Sequence, residues 1–220
     1  MPRYIDLSGW IYNDMWQSTS NYPGATITDI PQPPEEIGDK RVYNQQFVLS
    51  GQSGTYIETQ AHVDPTATPV SDCPIEDFVM NCVILRLVEK SQNEPIFADE
   101  LKHVAPDIPP DSAVLLATGW SKHWQDAQLF IDGSPYITAD AARWLIEQRI
   151  RLLGADIPRF DYPSQPVFPW QDFWACVPYL MAPVVNIFSD TFTQGRLFCF
   201  PLKIWRAMGT PVRAVLEVDD

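Results

Sequence analysis

Positive charge is scarce in this sequence. Only 15 Lys and Arg stand against 28 Asp and Glu over 220 residues, a formal net charge of −13 at neutral pH. Nucleic-acid phosphates are bound by clustered Lys and Arg, and anionic membrane surfaces by basic segments; neither partner is expected, and the charge serves solubility. Histidine is rarer still. An imidazole-rich metal site would have to draw on His62, His103 and His123, which are all there are. The 4 cysteines, Cys73, Cys82, Cys176 and Cys199, contain no Cys-x-x-Cys pair. They are expected as reduced thiols in a cytoplasmic protein, not as zinc ligands or a disulfide framework.

No stretch approaches the roughly 20 consecutive apolar residues of a membrane span. The opening Met1-Pro2-Arg3-Tyr4-Ile5-Asp6 places polar and acidic residues where a secretory signal has an apolar stretch. A Walker loop, a dinucleotide fingerprint, a Gly-x-Ser-x-Gly elbow and a His-Glu-x-x-His helix are all missing. Nucleotide binding, serine-hydrolase chemistry and zincin chemistry therefore have no support.

What is present is a chain of ordinary globular balance, 45% hydrophobic and 20% charged, with no internal repeat and no linker to divide it. One α/β domain over residues 1–220 is expected. Turn-rich sequence from Asn21-Tyr22-Pro23-Gly24 to Pro31-Gln32-Pro33-Pro34 predicts a surface excursion or arm at about residues 20–40. Strands are predicted at Tyr4–Ser8, Val42–Leu49, Thr55–Thr59, Asn81–Leu87 and Ala113–Ala117. Ala98–Val104 reads as a short helix. Ala139–Arg149 is the clearest helix, with Thr138 as N-cap, Asp140 in the first turn and an apolar stripe of Ala142, Leu145 and Ile146. It leads into a buried strand at Leu152–Asp156, which makes a βαβ unit. The tail from Phe198 to Val218 predicts two strands joined through Met208-Gly209-Thr210-Pro211.

Gln52, Tyr56, Glu58 and His62 share one parity, so an extended chain presents them on one face. A carboxamide, a phenol, a carboxylate and an imidazole together are a set for polar-ligand binding or acid/base chemistry. The ordinary role of a lone histidine is a hydrogen-bonded structural one, and it is the reading taken for His103, at a helix end, and His123, between Trp120 and Trp124. Aromatic residues reach 12%, with 8 Trp. Large rings either fill a core or line a pocket; Trp10, Tyr12, Trp16, Trp120 and Trp124 are the candidates for pocket walls, with core or subunit interface as the alternative.

The run Gln52-Ser53-Gly54-Thr55-Tyr56-Ile57-Glu58-Thr59-Gln60-Ala61-His62 resembles the His-x-Gly-Thr-His-x-Asp-x-Pro-x-His motif of the cyclase family, which includes bacterial kynurenine formamidase and isatin hydrolase. Pro74-Ile75-Glu76-Asp77-Phe78-Val79, Thr118-Gly119-Trp120, Leu153–Asp161 and Gly209-Thr210-Pro211-Val212-Arg213-Ala214 extend the resemblance over nearly the whole chain. It implies an α/β fold of the swivelling β/β/α type, a mixed sheet curled into a barrel-like core with flanking helices, in a homodimer or homotetramer. It also implies a Zn or Mn site whose ligand positions are here Gln52, Tyr56 and Glu58, with His62 as the surviving third histidine. The family's later His falls near Phe173 and its later Glu on Val185. A carboxamide and a protonated phenol are weak zinc donors beside imidazole, so the metal site is expected to be degenerate.

The function expected from this combination is a hydrolase or cyclase acting on a small cyclic amide, lactone or aryl formamide. His62 is then the general base, Glu58 assists it, Tyr56 and Gln52 polarise the carbonyl, and Trp120 and Trp16 contact substrate. A metal-free lyase or isomerase and a catalytically silent small-molecule binder are the alternatives.

Overall fold

The strands of the computed structural model are β1 (Arg3–Asp6), β2 (Thr26–Ile30), β3 (Asn44–Val48), β4 (Tyr56–Glu58), β5 (Val79–Arg86), β6 (Pro95–Ile96), β7 (Ala113–Ala117), β8 (Tyr136–Ile137), β9 (Leu152–Ala155), β10 (Tyr179–Ala182), β11 (Gln194–Phe198), β12 (Gly209–Pro211) and β13 (Val215–Val218). Its helices are α1 (Ala98–Val104), α2 (Ala127–Asp132), α3 (Ala139–Glu147) and α4 (Trp170–Cys176). The structure describes residues 1–18, 22–31, 43–162, 164–189 and 191–219.

Nine strands form one mixed sheet in the order β1-β13-β11-β5-β7-β9-β10-β4-β12. The centre, β5-β7-β9-β10, is parallel, and helices lie in each crossover. Strands covered on both faces need continuous apolar runs, which is what Ala113–Ala117 supplies: all five residues are buried. Alternate side chains serve different cores. Val114 and Leu116 pack with the helices, while Ala113, Leu115 and Ala117 point into the curl of the sheet with Ile84, Met181 and Leu216.

The outer strands are antiparallel: β11, β13 and β1 beyond β5, and β4 and β12 beyond β10. The curl comes from the last strands. β12 pairs with β4 at one side of the order and β13 with β1 and β11 at the other, and only residues 212–214 separate β12 from β13. This one chain segment draws the two ends of the sheet together. The expected α/β class, with a mixed curled sheet and flanking helices, is observed.

One local expectation is corrected, and another gains detail. Met208–Pro211 was expected to join two strands of the tail, yet Gly209–Pro211 is itself the strand β12, because its backbone pairs with β4 across the barrel. The excursion expected at about residues 20–40 contains β2, paired with β3 in a two-stranded ribbon; residues 19–21 and 32–42 lie outside the described residues.

Helix α3 begins as expected after Thr138 and ends where Arg149 takes positive φ. Thr138 does not cap it through its side chain: the hydroxyl donates to the Ile96 carbonyl at 2.7 Å. Asp140 instead reaches across to α1, where its Oδ2 accepts from Ala98 N at 3.0 Å. The start of α1 is thereby capped from the neighbouring helix.

Candidate active site

The sheet order puts β4 between β10 and β12, with Glu58 opposite Leu180 on one side and Gly209 on the other. Tyr56 and Glu58 leave this strand on its helix-facing side, while Ile57 between them enters the curl. The alternation expected of an extended chain holds for these two residues. Gln52 and His62 arrive by other means.

Gln52 sits in a turn knotted by Ser50 and Ser53: Ser53 N donates to Ser50 O at 3.2 Å, and Ser50 N to Ser53 Oγ at 3.0 Å. Gly54, at φ +68°, then returns the chain to β4 in a conformation that disfavours a side chain. After β4, a single turn over Gln60–His62, in which Thr59 Oγ1 accepts from Ala61 N, swings His62 back. Four residues of one parity therefore converge, although only three consecutive residues are strand.

Their contacts are specific. Gln52 Nε2 donates to Glu58 Oε2 at 2.8 Å, and Gln52 Oε1 accepts from Ser18 Oγ at 3.1 Å. His62 Nδ1 lies 3.7 Å from the same Glu58 oxygen. Glu58 is only 4% exposed. Burial raises its pKa, against the opposing pull of His62 and the Gln52 hydrogen bond. The Tyr56 phenol is pushed well up, by burial first and then by Glu58 and Tyr22, so it is held protonated. It makes no hydrogen bond with protein among the described residues.

Two cavities meet here. The larger, of about 780 Å³, is lined by Tyr56, Glu58 and His62 with Arg159, Phe160, Trp170 and Trp174. The smaller, of about 420 Å³, is lined by Gly51, Leu202, Ile204, Met208 and Gly209. Tyr22, Gln52, Glu58 and His62 belong to both. Gly209 matters to this junction: a Cβ there would stand 2.8 Å from Glu58 Cβ.

Trp16 and Trp120 are not brought to these cavities. Trp16 is packed against Trp124 and Phe130 in the core beneath the helices. Trp120 is 2% exposed and spends its indole N–H on Phe130 O at 3.0 Å. Trp124 donates to Trp10 O, and Tyr12 to Trp124 O. The positions expected for the later family ligands also lie elsewhere. Phe173 is fully buried in an aromatic cluster, and Val185 lies beside Gly119 and Phe188. From the same two segments, Trp170, Gln171, Trp174 and Ala182 are the residues that reach the large cavity.

The aromatic wall that forms instead was readable in part. Trp170 and Trp174 are four residues apart, one face of a helix, and their rings stack at 6.3 Å. Arg159 and Phe160 follow a buried parallel strand at its C-terminal end, where α/β sheets commonly hold ligands.

Residues 5–162 match the cyclase family. The chain belongs to that family. It is 29% identical over 219 residues to kynurenine formamidase of Bacillus cereus (strain ATCC 10987 / NRS 248), covering 98% of this chain and 97% of the relative. Its fold matches an isatin hydrolase solved with the product analogue thioisatinate at a TM-score of 0.82, with 20% identity, over 100% of this chain and 93% of that one. A predicted metal-dependent hydrolase from Bacillus stearothermophilus matches at a TM-score of 0.78, with 20% identity, over 99% of this chain and 98% of that one. These relatives support an enzyme of hydrolase type.

The family's metal is a poor fit to these residues. Among the described residues no three His, Cys, Asp or Glu side chains cluster as a metal site. Of the three positions expected as ligands from the sequence, Tyr56 is held protonated, and Gln52 turns its amide N–H, not its oxygen, toward Glu58. A cation on Glu58 would face a donor where it needs a lone pair.

Proposed function

We propose that this chain hydrolyses a small cyclic amide, lactone or aryl formamide, with His62 as general base and Glu58 assisting it. The observation that carries the proposal is the Gln52–Glu58–His62 array at the junction of two cavities, beside an aromatic wall. Imidazole is the side chain suited to moving protons near neutral pH. Here His62 takes a proton from water, the water oxygen adds to the carbonyl carbon, and the carbon–nitrogen or carbon–oxygen bond to the leaving group breaks. The proton passes from His62 to the departing atom.

Glu58, fixed by Gln52, orients the ring and stabilises the imidazolium as it forms, the part a carboxylate plays behind a catalytic histidine. Tyr56 supplies its unspent O–H to the carbonyl oxygen as negative charge develops there. Phe160, Trp170 and Trp174 provide flat apolar surface for an aryl ring. Because Gln52 is engaged with Glu58 and Ser18, its part is to hold the carboxylate.

The test is turnover of aryl formamides and aryl lactones in oxygen-labelled water. Label should enter the acid product, and His62→Ala should lower kcat by about 10²–10⁴-fold with the melting temperature unchanged. Undiminished turnover in that variant, or product without label, sinks the proposal.

A further inference from the structure

We infer that the smaller cavity is an acyl pocket: it takes the aliphatic acyl part of an aryl amide or aryl ester whose ring lies in the larger one. The inference deepens the hydrolase reading above and rests on it for the position of the reacting carbonyl.

A carbonyl carbon that is hydrolysed carries two substituents, the leaving group and the acyl remainder. Around Glu58 and His62 space opens in two directions. One leads to the aromatic wall of Phe160, Trp170 and Trp174. The other, of about 420 Å³, is walled beyond the shared residues by Leu49, Leu202, Ile204, Met208 and Pro211. Among the described residues, Arg206 is the one charged side chain in that outer part. A formyl group carries only hydrogen on the acyl side, and a cyclic amide or lactone keeps both substituents in one ring. Either would leave the second cavity unfilled. A hydrocarbon chain of medium length fills it and takes its apolar surface from water.

The walls are built in advance of any ligand. The turn over residues 202–208 is fastened at both ends: Leu202 N donates to the buried Thr210 hydroxyl at 3.0 Å, and Thr59 N donates to Met208 O at 3.1 Å. Within it, Ala207 N donates to Ile204 O at 3.1 Å. Even so, Leu202, Ile204 and Met208 stay 50, 51 and 48% exposed. Apolar surface left open beside a reacting centre is surface that a substrate can cover. Hydrolysis of such a substrate gives an alkanoic acid on this side and an arylamine or phenol on the other, with one water consumed.

Phenyl alkyl ketones keep the ring and the carbonyl but offer water no leaving group, so their binding tests the pocket without turnover. Measured by calorimetry, affinity should rise about twofold to fourfold for each added methylene, from acetophenone through butyrophenone to hexanophenone. Leu202→Asn and Ile204→Asn, both at half-exposed positions, should flatten the series with the melting temperature kept. A flat or falling series in the wild type, no binding of any ketone, or a slope that survives in either folded variant overturns the inference. So does a flat series in a wild-type dimer that Ile204→Asn dissociates, which would assign these walls to a second copy of the chain. Rising affinity without turnover of any aryl amide or ester would instead count against the hydrolase reading alone, and turnover of aryl formamides with a flat ketone series against this inference alone.

Discussion

Tyr56 shows how much one side chain's surroundings decide its chemistry. A phenol is an ordinary strand residue, but here it is 5% exposed, opposite Ala182 and one alternation from Glu58. Burial and the neighbouring carboxylate both disfavour the phenolate, so the group keeps a proton that it can donate. Tyr56→Phe keeps the packed ring and removes the donor. It should lower kcat by about 10²-fold with little change in KM, as steady-state kinetics on an aryl formamide would show. An unchanged kcat would remove Tyr56 from the oxyanion role. Glu58 is legible at the same scale, since alternation along β4 places it beside Tyr56. Gln52 and His62 were legible as residue types in a family-like motif, while their convergence depends on two turns that alternation does not encode.

The elements were read well where one short run decides them. Ala98–Val104 and Ala113–Ala117 were anticipated with the bounds the structure gives, because apolar periodicity and local breakers suffice there. The αα contact between α1 and α3 was not anticipated, since Asp140 reads as a residue of its own helix. Thr138 and the Ala98 amide, in that order, hold the Asp140 carboxyl below the usual carboxylate range. Such a group stabilises the fold above the pKa it has in the unfolded chain, and that contribution is lost as pH falls through the lowered folded value. Asp140→Ala should therefore cost about 1 kcal/mol at neutral pH, seen as a melting temperature roughly 2–4 °C lower. The gap between variant and wild type should close in acid.

Helix α4 was missed as an element, and with it the aromatic wall. Its N-cap is Pro169, which makes no side-chain cap bond, so the usual polar start signal is absent. Trp16 and Trp120 were drawn to the site by ring content alone. The structure takes them into the core because the 119–124 run folds over Gly9, where a Cβ would stand 2.2 Å from the Trp124 ring. The indole donors of Trp120 and Trp124 are satisfied by nearby carbonyls, while the Trp16 indole N–H is buried without a partner among the described residues.

At the scale of the whole molecule, one buried hydroxyl ties the curl together. Thr55 Oγ1 donates to Pro183 O at 2.7 Å and accepts from Gly9 N at 3.0 Å, and Val212 N donates to Thr55 O at 2.9 Å. Segments next to β1, β4, β10 and β12 thus meet at a single residue. Thr55→Val is nearly isosteric and strands the Gly9 amide. It should cost about 2 kcal/mol and lower the melting temperature by roughly 4–8 °C, with a loss of activity that follows the displacement of β4. A variant as stable as the wild type would show that the closure does not depend on this node.

Sequence by itself determined the class of fold, the family scaffold and the identity of the polar set, because those are carried by apolar runs and by a motif within eleven consecutive positions. The tertiary structure alone decided which rings face the cavity and that Gln52 is spent on Glu58. Those outcomes turn on contacts between segments far apart in the chain, such as Arg159 with Ser18 and Trp170 with Asp161. Local propensity carries no information about such pairs.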